Sequence, residues 1–236
     1  MLETVVKEKS KRKTRADVLR PAKLLRIIEG LPPDSRLILQ NQSWNVYEKL
    51  SEAVGEASGL RISFAPPGTL EIMTLSTEHE SLAEMIGRFV DRISIGKNID
   101  ILFFGSATIK KSRRIAGSEP DACFYIQNAQ KIGEKIKVDF SIDPPPDVVA
   151  EIDWKHDSFY KFPIYAALGV PEIWRYDGQK ATFYKLETGE KYVEIEQSVA
   201  LPILTAKVLG DFLNRNGKDA QPQILRDFQD WLTKTI

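Results

Sequence analysis

The chain has 236 residues, 42% of them apolar and 28% charged, which is material for a buried core and an ordinary balance for a globular protein. Thirty-three Lys and Arg against 33 Asp and Glu leave a formal charge of zero, which excludes a globally basic nucleic-acid binder. The single cysteine, Cys123, excludes an intrachain disulfide and a cysteine-rich zinc module, and no window nears the roughly 18 continuous apolar residues of a membrane span.

The opening MLETVVKEKSKRKTR lacks the apolar core of a signal peptide, so a cytoplasmic location is expected. Residues 1–26 hold nine basic and three acidic side chains. Residues 1–20 read as a basic, flexible arm that could touch phosphate, although a solvated terminus is the ordinary meaning of such a run. Residues 21–236 read as one domain with a helical C-terminal extension.

In chain order, Pro21 to Gly30 reads as a short helix, broken by Pro32-Pro33 before SRLILQ, a short strand. Ser43 suits the cap of an amphipathic helix with Trp44, Tyr47, Leu50 and Val54 on one face. LRISFAPPGTLEIMTLS reads as a hairpin turning at Pro66-Pro67-Gly68. Glu78 to Ile95 is the longest helical pattern, with Leu82, Met85, Ile86, Phe89, Val90 and Ile93 as the apolar stripe that packs on a sheet. His79 stands at that stripe's edge, where a half-buried, hydrogen-bonded imidazole is the simpler expectation than catalysis. Glu80 and Glu84 are placed where acids favour a helix start.

NIDILFFG reads as a strand, and TIKKSRRIAGSE as a loop whose Lys110, Lys111, Arg113 and Arg114 could lie along a phosphate backbone or serve only as a solvated connector. Asp121 opens the strand DACFYI and shares a face with Cys123 and Tyr125. Gln127 to Lys137 allows a helical turn, and Pro144-Pro145-Pro146 stiffens the approach to a strand–helix–strand unit from Asp147 to Tyr176. In that unit Glu151 and Asp153, two apart, point from one face of the first strand, and Lys161 and Tyr165 are four apart on the helix. A hairpin around Thr188-Gly189 and two amphipathic helices, ILTAKVLGDFLNRN and QPQILRDFQDWLTKTI, complete the chain.

Hydrolysis of a phosphodiester near neutral pH calls for charge neutralisation on the phosphate and an activated water, both supplied by a divalent cation on two carboxylates. Asp121 and Glu151 stand where neighbouring strands of one sheet would bring them together, with Lys161 as the nearby ammonium and Lys155 as a second choice. Tyr165, Trp174 and Tyr176 read as core.

Six stretches together resemble the Uma-type restriction endonuclease family of the PD-(D/E)XK nuclease superfamily: His79-Glu80, EPDACFYI, PPDVVAEI, the four-residue steps Asp157–Lys161–Tyr165, GVPEIW and the hairpin after Asp177. Their joint order, over about residues 70 to 195, is far more specific than any one of them. The resemblance implies an α/β fold with a restriction-endonuclease-like central mixed β-sheet flanked by helices. It also implies an endonuclease acting on DNA with Mg²⁺ or Mn²⁺, and is compatible with a homodimer. Asp121 matches the Pro-Asp acid and Glu151 the second acid. Asp153 occupies the position two residues later where the superfamily usually carries its lysine, so that Lys161 from the next helix takes that part and Asp153 is a third metal ligand or a disturbance. The segment from Glu151 to Asp157 is also shorter than the serine-rich one usual in the family. Glu80 is implied as an outer acid. A nuclease-fold module that binds nucleic acid or protein without cutting is the alternative, favoured by Asp153 and the neutral charge.

Overall fold

A computed structural model of the chain describes residues 21–55, 59–111, 116–135 and 137–235. The basic arm 1–20, and Arg113 and Arg114 of the interior basic cluster, lie outside the described residues. The elements run α1 (Pro21–Glu29), β1 (Arg36–Leu39), α2 (Trp44–Val54), β2 (Leu60–Ala65), β3 (Thr69–Thr74), α3 (Thr77–Lys97), β4 (Leu102–Phe103), β5 (Ile109–Lys111) and β6 (Ala116–Ser118). They continue with β7 (Ala122–Tyr125), α4 (Ala129–Ile132), β8 (Val148–Ile152), α5 (Phe162–Leu168), β9 (Glu172–Tyr176), β10 (Ala181–Glu187), β11 (Lys191–Ile195), α6 (Ala206–Leu213) and α7 (Gln221–Lys234).

Among these residues the strands form two sheets. The larger runs β11-β10-β9-β8-β7-β4 and is mixed, because β8 and β9 are parallel while its other pairs are antiparallel. A parallel pair requires a crossover, and the segment holding α5 supplies it. The fold is thus the mixed α/β architecture expected, with an addition: β1-β3-β2-β6-β5 form a separate antiparallel sheet. Its β5 and β6 come from the segment read as a basic loop, and Lys110 and Lys111 lie on a strand rather than in a connector. Alternation there was hidden by the short length and by the glycine and lysines, which are poor strand formers.

Each face of the larger sheet has its own cover. Phe124, Val148, Ala150, Trp174 and Phe183 pack against α3, α6 and α7. Cys123, Tyr125, Val149 and Ile173 pack instead against Ile164, Tyr165 and Leu168 of α5 and against Ile109 and Ala116 of the smaller sheet. The alternation along β7 and β8 directs each set to its side. Ser76 caps α3 by accepting from His79 N, and Asn98 ends it in the left-handed conformation. Near its middle Phe89 stacks on Phe228 of α7 with centroids 4.5 Å apart, and at its far end Lys97 Nζ donates to Thr235 O at 2.7 Å.

The smaller sheet is two-faced. Ile62, Phe64, Leu70 and Ile72 turn to α1 and α2, burying against Leu24, Tyr47 and Leu50. Arg61, Ser63 and Glu71 occupy the alternate positions and are buried as well, so a polar face is closed inside the molecule. The β6 strand approaches α2 so tightly that only glycine fits at 117: a Cβ there would sit 2.7 Å from Tyr47 Cζ. Tyr47 is fully buried beside Trp44 and Phe64 and has no room to move aside.

Overpacking of this kind costs about 1–3 kcal/mol, and for a chain of this length each kcal/mol lowers Tm by about 2–4 °C. Gly117→Ala should therefore lower the calorimetric Tm by roughly 2–12 °C. Gly87→Ala, inside α3 with open space around its Cβ position, should leave Tm unchanged or raise it.

Candidate active site

The antiparallel register that pairs Ala122 with Ala150 brings Asp121, one residue before β7's first pair, beside Glu151. Asp121 N donates to Ala150 O at 3.1 Å, and Asp121 Oδ2 accepts from Ile152 N at 2.7 Å. Its carboxylate is thereby fixed to β8 by the backbone, with no solvent exposure of the side chain. Two basic side chains from other elements close on it. Arg61 Nε of β2 donates to Oδ1 at 3.2 Å, and His79 Nε2 of α3 stands 3.2 Å from Oδ2. Burial alone would raise the Asp121 pKa, but His79, Lys161 and Arg61 outweigh it and hold the carboxyl well below the usual range. Burial likewise opposes charge on His79, and Asp121 outweighs that too, so the imidazole titrates above its ordinary value.

Glu151 is the second acid, 1% exposed. Lys161 Nζ donates to its Oε2 at 2.7 Å, and the Tyr165 hydroxyl donates to Oε1. Lys161 is itself 1% exposed, at the end of a 3₁₀ turn, Phe159–Lys161, that leads directly into α5. Burial works against the ammonium, while the charges of Glu151, Asp121 and Glu71 more than restore it. For Glu151 burial is the larger influence, opposed by Lys161 and reinforced by the negative charge of Asp121, and its pKa is pushed up to about 7. Tyr165 is reached by Ser118 Oγ at 3.2 Å, and Ser118 and Ser63 share a hydrogen bond of 2.9 Å. The polar face of the smaller sheet is the wall behind the Glu151 side of the site.

The structure therefore brings Asp121, Glu151 and Lys161 into one buried cluster. Glu80 stands outside it, with its side chain 53% exposed, and joins it through Arg61 Nη2 at 3.1 Å. Asp153 lies one residue past β8, accepting from Ser158 N at 3.0 Å and from Arg175 Nε. Lys155 pairs with Asp34 at 2.9 Å on the surface.

Three participants were not read from the residues. Tyr165 is core, as its periodicity implies, but its hydroxyl also donates a hydrogen bond to Glu151. Arg61 stands inside a hairpin strand, as does Glu71, whose Oε2 accepts from Arg36 Nη2 at 3.1 Å with the guanidinium 4.3 Å over the Tyr160 ring. The signal for both was a lone charge in an otherwise apolar strand, LRISF and TLEIM, where a buried charge demands a partner.

Two neighbouring carboxylates present hard oxygen donors of the kind Mg²⁺ and Mn²⁺ take, and one oxygen of Glu151 is bonded only by a neutral phenol. Among the described residues no three of His, Cys, Asp and Glu gather as a closed ligand group. That is compatible with magnesium, which is commonly bound through one or two carboxylates with waters and substrate phosphate completing its shell. Asp121 and Glu151 are the residues that could hold it.

A search of curated proteins finds no match. Among solved structures, a protein from Anabaena variabilis ATCC 29413 described as a putative nuclease belonging to DUF820 aligns at 14% identity with a TM-score of 0.47, covering 80% of this chain and 98% of its own. The model of the Uma2 family, described as "Putative restriction endonuclease", matches residues 44–212, which take in β2, β3, the cluster of Asp121, Glu151 and Lys161, and most of α6. The chain belongs to the Uma2 family.

Proposed function

We propose that this chain is a divalent-metal-dependent endonuclease that hydrolyses DNA phosphodiester bonds, with Asp121 and Glu151 as the metal-binding carboxylates. The observation that carries the reading is the meeting of these two acids, 30 residues apart in sequence, in a buried cluster with an ammonium group 2.7 Å from one of them. Bound there, the cation supplies neutralisation of the phosphate and an acidified water.

The chain's own residues have separate parts. Lys161 holds a fixed positive charge beside Glu151 that offsets the negative charge developing at the site, and its confinement means that little reorganisation accompanies the step. Tyr165 orients Glu151. His79, with Lys161 and Arg61, keeps Asp121 ionised, and Arg61 is in turn held by Glu80, which acts as a positioning residue. Asp153 positions Lys161 rather than adding a ligand: it accepts from Ser158 N, and Ser158 O accepts from Lys161 N at 2.9 Å, so the turn that presents the ammonium is fastened to Asp153.

Supercoiled plasmid incubated with the full chain and Mg²⁺ or Mn²⁺ should be nicked, and EDTA should stop the reaction. Asp121→Asn and Glu151→Gln should reduce nicking to background with folding retained by circular dichroism. Lys161→Met should slow it about 10²–10³-fold. If no DNA substrate is cut under any metal, the chain is instead a nuclease-fold module that binds without cutting, a reading to which the internal donors on both carboxylates lend weight. Asp153→Asn tests this positioning role against that of a metal ligand. A positioning residue loses rate, with the Mn²⁺ concentration for half-maximal nicking within about twofold of wild type, whereas a ligand raises that concentration by about 10-fold or more.

A further inference from the structure

A concavity of about 630 Å³ opens on the other side of the first turn of α3 from the acid cluster. His79 and Glu80 of that turn face Asp121 and Arg61, while Thr77 and Ser81 line the concavity. Its remaining walls are Trp154, three residues after Glu151, Gly178 in the β9–β10 turn, and the α6–α7 turn with Asn214, Asn216 and Gln221. It lies beyond the carboxyl ends of the parallel pair β8 and β9, where Asp153 N donates to Tyr176 O at 2.7 Å; this is the end of a parallel sheet at which ligands bind in open α/β folds.

We infer that this cleft receives an unpaired base of the DNA strand whose phosphate sits at Asp121 and Glu151, with Trp154 as the stacking surface. The inference rests on the nuclease reading and adds where the neighbouring nucleotide goes. Trp154 is 40% exposed, a costly state for the largest aromatic side chain, and the Gly178 backbone supports its six-membered ring: a Cβ at 178 would lie 3.4 Å from Cε3 and Cζ3. Opposite it the wall is organised in advance. Asn216 Nδ2 donates to Ser81 Oγ at 2.9 Å, Gln221 Nε2 to the same oxygen at 3.2 Å, and Arg88 Nη1 to Gln221 Oε1 at 3.1 Å. An aromatic face opposite amides and hydroxyls is the chemistry that holds and reads an extruded base. The charges on the lining, Glu78, Lys218 and Asp219, are of mixed sign and Asp219 is already paired with Arg215 at 2.7 Å, so no concentrated positive charge draws a phosphate in and the group that suits the cleft is the base. The wall from Asn214 to Gln221 follows the residues matched by the family, 44–212, so the base-reading side belongs to this chain's C-terminal segment.

The test is fluorescence anisotropy of a 5′-labelled single-stranded 12-mer with the full chain in EDTA, where no cleavage interferes. Stacking is worth about 5- to 150-fold in affinity per base, so Trp154→Ala should raise Kd by about tenfold or more and Trp154→Phe by less than about threefold. Replacing the stacked nucleotide by an abasic one should weaken wild type equally and make the oligonucleotide insensitive to Trp154→Ala, a coupling that a misfolded variant would not produce. Equal binding by wild type and Trp154→Ala overturns the inference, as does absence of binding by wild type, or Trp154-dependent binding of free dTMP without binding of the strand. The plasmid assay is read separately. Metal-dependent nicking with Trp154-independent binding leaves the nuclease and removes the cleft; Trp154-dependent base binding without nicking leaves the cleft and removes the cutting chemistry.

Discussion

An ammonium group buried to 1% exposure is the constraint around which this molecule is arranged. Removing such a charge from water costs several kcal/mol, and it is tolerated only with close, well-oriented counter-charge. Lys161 finds it in Glu151, which is itself buried and would by desolvation alone become neutral. Each charge justifies the other, and neither could occupy its place if the two sheets did not close over both. The polar inner face of the smaller sheet, with Arg61, Ser63 and Glu71 on its strands, follows from the same requirement. An apolar face there would leave the donors and acceptors of the cluster without partners.

The arrangement also explains why the site stands at the seam. Asp121 is fixed by the backbone of β8, Arg61 comes from the smaller sheet, His79 from α3, and Lys161 from the crossover between parallel strands. Four elements of different origin converge, and each brings the counter-charge that another needs. A cluster of this kind is preorganised by folding itself, since its geometry is maintained by the same contacts that hold the sheets together.

Much of this was legible in the residues. Periodicity located α3 to within two residues at each end, because its apolar stripe is long and uninterrupted. The strand–crossover–strand unit was visible from Asp147 to Tyr176, with its first strand starting at Val148, and the joint order of motifs around Asp121, Glu151 and Lys161 pointed to the family. The second sheet was not legible as a sheet. Its β2–β3 hairpin could be read, but β6 attaches to β2 through the single pair Phe64–Gly117, a contact between residues far apart that no local pattern records. The charge partners were hidden for a similar reason: Arg61 and Asp121 are 60 residues apart, and only the fold says which buried cation answers which buried acid. Asp153 looked like a member of the acid face from its spacing. Strand β8 ends at Ile152, and Arg175, next to it on β9, takes its carboxylate instead.

The length of α3 couples the two ends of the domain. At about 1.5 Å per residue its 21 residues make a rod of roughly 30 Å. His79 is near one tip, and α7 packs along the other half: Phe228 stacks on Phe89 near the middle, and at the tip Gly96 is so close to Leu232 that a methyl group would intrude at 2.7 Å from its Cδ2. The helix thus places the imidazole at one end of the same rigid rod whose other half is packed against α7, so the position of His79 beside Asp121 shares its foundation with the packing of α7.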